Sequence, residues 1–132
     1  MMVNSNSEGE VRRRVLSFRY AFEGWWYVLR TQRNAWIHAL ISLAVFALAL
    51  WLRLPRLDWA ILLLTVMVVW TAEFVNTSIE AVVDLAAPSY HPLAKTAKDV
   101  AAAAVLVAAL GAVLIGLLIL GPPLWNRVGV VF

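Results

Sequence analysis

Read by the spacing of its apolar and polar positions, the chain falls into four helical stretches joined by short breaks. Residues 1–10 are small and polar and bury too little apolar surface to order themselves, so disorder is expected there. From 11 to 30, Arg12, Arg13, Arg14, Arg19 and Arg30 alternate with Phe18, Phe22, Trp25, Trp26 and Leu29. The helical recurrence of the aromatics predicts an amphipathic helix lying on an anionic membrane surface. The apolar run 37–52 is slightly short for a hydrocarbon core about 30 Å thick, and a start near Gln32 or Asn34 makes it long enough. Pro55 forbids a continuous helix, so Arg53-Leu54-Pro55-Arg56 is a turn, bracketed by Trp51 and Trp59 at an interface. A second span runs over 59–83, about 37 Å at 1.5 Å per residue. Pro88 and Pro92 break the chain after it, and a third span, rich in Ala and Gly, covers 96–120. Its small residues let helices approach closely, which places it inside a bundle or at a subunit contact. Gly121-Pro122-Pro123 is expected to end it, leaving 124–132 as a tail. The fold class is all-α: one membrane domain over 11–123, with a surface helix and three spans.

The second span changes the picture, because its latter half is not uniformly apolar. With Glu73 set at 0°, Glu80 falls at about −20°, Asp84 at about +20° and Asn76 at about −60°. Four polar groups share one narrow stripe. An acid at the centre of a membrane span costs roughly 2.5–3.5 kcal/mol on insertion scales. Two glutamates are tolerated there when they face a protein interior, a partner or a cation. A stripe that merely glues helices together is the plainer alternative, although one Asn or Ser would serve that purpose.

Composition agrees with a membrane protein: 63% of residues are hydrophobic and 14% charged, against a usual half and quarter. No cysteine is present, which excludes disulfides and thiolate ligands. A net charge of +3 would point to nucleic acid in a soluble protein. Here the basic residues flank apolar spans, so a membrane surface is expected and nucleic acid is not. With the N-terminus and second loop inside, Arg12, Arg13, Arg14, Arg19, Arg30, Arg33, Lys95 and Lys98 are cytoplasmic; Arg53, Arg56 and Arg127 are outside. The positive-inside rule thus gives an inner N-terminus and puts the acidic stripe on the ATP-containing side.

The stripe has the parts for phosphoryl transfer. Glu73, Glu80 and Asp84 offer hard oxygens suited to Mg²⁺. Asn76 can orient a carboxylate or accept from a hydroxyl. Lys98 opens a helix and suits a phosphate. A carboxylate deep in the stripe is a plausible general base. No glycine-rich phosphate loop occurs among the six glycines, so a nucleotide must be held otherwise. Plainer readings stand beside these: His91 as a surface histidine in a proline-flanked loop, Lys95 as a snorkelling interface lysine, and Asp99 as a cap or a partner of Lys95 or Lys98.

The run Glu73-x-x-Asn76-Thr77-x-Ile79-Glu80-x-x-x-Asp84, followed by His91 and Ala97-Lys98-Asp99-x-Ala101-Ala102-Ala103, closely resembles the prokaryotic diacylglycerol kinase family. That family includes undecaprenol kinases, and the resemblance covers about 13–120. It implies a homotrimeric enzyme of the bacterial plasma (inner) membrane, with active sites shared between subunits. MgATP would phosphorylate a lipid hydroxyl, of undecaprenol or of diacylglycerol. Carried onto this chain, Glu73 matches the family's general base and Glu80 a metal ligand. Asn76, Asp84, Lys98 and Asp99 match positions at the nucleotide and catalytic centre. Ser89, Tyr90 and His91 match a nucleotide-contacting loop, and Arg13 and Tyr20 fall where the family contacts nucleotide or lipid.

One position departs from the pattern. The family usually carries a second metal-binding glutamate before the first span, where this chain has Gln32. Its amide oxygen is a weaker ligand, so Mg²⁺ is expected to rest on Glu80, Gln32 and the ATP phosphates. The change also admits a catalytically impaired scaffold or regulatory member, and intramembrane acids by themselves would suit an ion or proton pathway. The run Arg33-Asn34-x-x-Ile37-His38 resembles the undecaprenol branch and tilts the substrate that way, with diacylglycerol close behind.

Overall fold

The computed structural model describes residues 5–129, and all regular structure among them is helical. Four helices follow one another: α1 (Ser5–Thr31), α2 (Arg33–Leu52), α3 (Arg56–Ala86) and α4 (Pro92–Gly129). The chain divides into two compact units, α1 with its flanks and then α2 to α4. The last three helices are each long and apolar enough to cross a membrane.

The helix boundaries differ from expectation at both ends. The first helix starts at Ser5 rather than 11, so 5–10 are helical where disorder is expected, and 1–4 lie outside the described residues. Once α1 is nucleated, each added residue gains a backbone hydrogen bond, so the helix extends toward the N-terminus beyond its amphipathic stretch. At the other end, α4 runs through Pro122 and Pro123 to Gly129 instead of stopping at 121. Proline keeps φ near the helical value but loses its N–H donor and crowds the carbonyl four residues back, so a helix that runs through it must be held by other contacts. Tertiary contacts hold the extra turns. Leu124, one turn beyond Leu120, packs on the cluster of Ala49, Leu52, Leu62 and Leu120, and the Arg127 guanidinium sits 5.2 Å from the Trp51 ring centre. Residues 130–132 of the expected tail lie outside the described residues.

The turn at Pro55 is built as expected, with an unexpected residue in it. Arg53 N–H donates to Leu50 O at 3.1 Å and Leu54 N–H to Ala49 O at 3.2 Å. This pair is the Schellman arrangement, whose C′ residue must be left-handed. Arg53 takes that place at φ 55°, where glycine is the usual choice. Leu54 then enters Pro55 outside the helical region, as a pre-proline residue prefers. The Ala49–Leu52–Leu62–Leu120 cluster locks this end, with Phe46 stacked on Trp59 at 5.9 Å.

At the opposite end, α3 and α4 are joined by the loop 87–91. His91 caps α4: Leu93 N–H donates to His91 Nδ1 at 3.2 Å, and Pro92 takes the first helical position, where its missing donor costs nothing. Along α4, Leu106, Val107, Leu114 and Leu118 remain more than half exposed. An apolar surface of that extent belongs in lipid or against other chains.

Candidate active site

The stripe on α3 divides by depth. Glu73 is 1% exposed, Asn76 6% and Thr77 5%, and they are the buried polar residues among those described. Thr77 Oγ donates to Glu73 O at 2.9 Å, which satisfies its hydroxyl within the helix. Asn76 Nδ2 donates to Glu80 Oε1 at 3.1 Å, holding that carboxylate one turn away. Both carboxylate oxygens of Glu73 and Oδ1 of Asn76 are buried without a hydrogen-bond donor in reach. Taking an ionised carboxylate out of water costs several kcal/mol. A buried acid with no donor to offset that cost is poor glue, which makes Glu73 the candidate functional group of the stripe.

Across from it, α2 presents its own polar residues. His38 Nε2 lies 3.8 Å from Glu73 Oε2, and the His38 ring meets Trp70 edge-on at 6.5 Å and 65°. Ser42 Oγ donates to His38 O at 2.7 Å and receives Trp70 Nε1 at 3.4 Å. Neither His38 nor Ser42 is among the site residues expected from the sequence. Their spacing of four in an otherwise apolar helix puts both on one face, and that was the available signal.

Asp84 sits beyond the buried part of the stripe. It is exposed, and its Oδ1 is 2.5 Å from Lys98 Nζ, so the last turn of α3 is tied to the second turn of α4. Asp99 pairs with Lys95 at 2.5 Å, one of the plainer alternatives. Ser89 and Tyr90 are exposed in the loop, beside the capping His91. Arg13, Tyr20 and Gln32 belong to the α1 unit; Arg13 and Tyr20 are exposed, and Gln32 is the single residue between α1 and α2.

A groove of about 910 Å³ opens between α3 and α4, lined by Leu64, Met67, Val75, Val100 and Ala104 among others. These α3 residues lie on the side of the helix away from Glu73: Leu64 and Val75 fall at about 180° and 200° from it. The groove is therefore apolar surface and not the chamber of the buried acid.

The fit to Mg²⁺ is one of partial coordination. Among the described residues, no three His, Asp or Glu side chains converge on one point. Mg²⁺ bound with a nucleotide needs only one or two carboxylates, because phosphates and water complete its shell. Glu80, held by Asn76, and the unpartnered Oδ1 of Asn76 supply oxygen donors of the required hardness.

The sequence profile of the family described as prokaryotic diacylglycerol kinase matches residues 19–120. A diacylglycerol kinase of Synechocystis is 49% identical over 111 residues, covering 83% of this chain and 63% of the relative. The chain thus spans just under two thirds of that relative's length. An undecaprenol kinase of Bacillus subtilis is 40% identical over 123 residues, 93% of this chain and 100% of the relative. The diacylglycerol kinase of Escherichia coli K12 is 34% identical over 110 residues, 78% and 87% of the two chains.

Proposed function

The chain belongs to the prokaryotic diacylglycerol kinase family, and from that premise we propose that it transfers the γ-phosphate of ATP to the hydroxyl of a membrane lipid. The observation that carries the reading is Glu73: a residue only 1% exposed, with both carboxylate oxygens unpartnered, inside a helix long and apolar enough to cross a membrane.

In the proposed reaction, a Glu73 oxygen accepts the proton of the lipid hydroxyl as the hydroxyl oxygen bonds to the γ-phosphorus. The bond from γ-phosphorus to the bridging oxygen breaks, and its electron pair leaves with ADP. Asn76 orients the neighbouring Glu80 carboxylate. Lys98 neutralises phosphate charge, and the Asp84 carboxylate holds the Lys98 ammonium group in the second turn of α4. Arg13, Tyr20, Ser89, Tyr90, His91 and Asp99 complete the contacts to nucleotide or lipid. Mg²⁺, when bound by Glu80 and the Gln32 amide oxygen, supplies further neutralisation of the phosphates. The enzyme lies in the bacterial plasma membrane with its N-terminus and site cytoplasmic, and it assembles as a homotrimer that covers part of the apolar surface of α4.

Undecaprenol is the preferred acceptor, because the relative named for it aligns over its whole length. Diacylglycerol is the alternative, supported by the higher identity of the Synechocystis relative. The test is phosphate transfer from labelled ATP in mixed micelles, with both lipids offered side by side. Faster labelling of undecaprenol supports the assignment, and exclusive labelling of diacylglycerol reverses it.

A further inference from the structure

Beyond Arg33 at its first residue, His38 is the ionisable residue of α2. Its side chain is 14% exposed and faces Glu73, 1% exposed, with Nε2 at 3.8 Å from Oε2. Nε2 has no hydrogen-bond partner, and neither does either Glu73 oxygen. Two buried groups of complementary chemistry thus stop just short of each other. Trp70 meets the imidazole ring edge-on, and the Trp70 indole N–H donates to Ser42 Oγ, which in turn donates to the His38 main-chain carbonyl. One turn of α2 and one turn of α3 form a frame around a single gap.

We propose that His38 is the positioning residue of Glu73. Nε2–H donates to Oε2 and fixes the carboxylate plane, leaving Oε1 to take the proton of the acceptor hydroxyl. The separation of 3.8 Å exceeds hydrogen-bond range, about 2.7–3.2 Å, by less than about 1 Å. A rotation of the imidazole closes it, in keeping with catalytic hydrogen bonds that tighten when substrate binds. In this role His38 touches neither nucleotide nor lipid, so its loss lowers turnover and leaves substrate binding alone. The inference rests on Glu73 being the base.

The test compares His38→Leu, His38→Gln and Glu73→Gln in the full chain in micelles. His38→Leu is expected to lose about 10–100-fold in kcat, the usual effect of removing a side chain that orients a catalytic group, with KM for ATP and lipid unchanged. His38→Gln keeps an N–H at the end of the side chain and is expected to recover most of that loss. Wild-type kcat in His38→Leu overturns the proposal, and so does equal impairment of Leu and Gln variants, which signals packing alone. Wild-type turnover in Glu73→Gln would remove the base reading itself, a separate and recognisable failure. A spectroscopic measurement stands independent of how well the leucine variant folds. With ¹⁵N-histidine, the chain gives two imidazoles, His38 and His91. Glu73→Gln is expected to shift the His38 Nε2 resonance and leave His91 in place; an unmoved His38 signal overturns the proposal.

Discussion

Lys98 and Asp84 are joined at 2.5 Å across the loop that links α3 to α4, with side chains 37% and 67% exposed. An ion pair so open to solvent is worth about 0–1 kcal/mol. In the proposed role of Lys98 it aims the ammonium group without trapping it, because a phosphate carrying two or more charges competes easily with one exposed carboxylate. Asp84→Asn should therefore leave stability within about 1 kcal/mol and raise KM for ATP a few-fold. Lys98→Ala should raise it more. Unfolding in mixed micelles together with ATP kinetics checks both; a large stability loss in Asp84→Asn would make the pair structural.

At the opposite end, Arg53 occupies the left-handed position that closes α2. A non-glycine residue there costs roughly 1–2 kcal/mol. Arg53→Gly relieves that strain at some cost in unfolded-chain entropy and is expected to be neutral or slightly stabilising. Arg53→Val, β-branched, is expected to destabilise by more than 1 kcal/mol by the same argument. Thermal unfolding of the two variants in detergent ranks them, and valine above glycine would contradict the turn geometry.

Gln32 stands where the resemblance to the family implies a metal-binding glutamate. If its amide oxygen contributes to Mg²⁺ binding with Glu80, Gln32→Glu adds a charged ligand and should lower the Mg²⁺ concentration needed for half-maximal turnover. Glu80→Gln should raise it or abolish activity. An unchanged Mg²⁺ requirement in Gln32→Glu would remove position 32 from the metal site.

Much of this was legible in the sequence, for physical reasons that also explain what was not. Apolar runs and Pro55, Pro88 and Pro92 placed three membrane-crossing helices, because hydrocarbon thickness and proline chemistry are local constraints. Helical angle alone aligned Glu73, Asn76 and Glu80, and Asn76 does hold Glu80. Local rules failed where tertiary contacts decide. Pro122 and Pro123 read as a helix stop, yet Leu124 and Arg127 find partners on the bundle and carry α4 onward. Asp84 shares the angle of Glu73 but not its depth, since burial depends on neighbouring helices. His38 meets Glu73 only after α2 folds back along α3, a contact separated by too much chain for periodicity to reveal.

Glu73 carries the proposed chemistry. Its side chain is buried in α3, and glutamine preserves its shape while abolishing its basicity. The decisive measurement is single-turnover phosphate transfer from labelled ATP to undecaprenol or diacylglycerol, comparing wild type with Glu73→Gln at matched ATP occupancy. A folded variant that binds ATP yet transfers phosphate about 10²–10⁴-fold more slowly is the predicted result, the range a general base supplies. Transfer at the wild-type rate by Glu73→Gln would contradict the account.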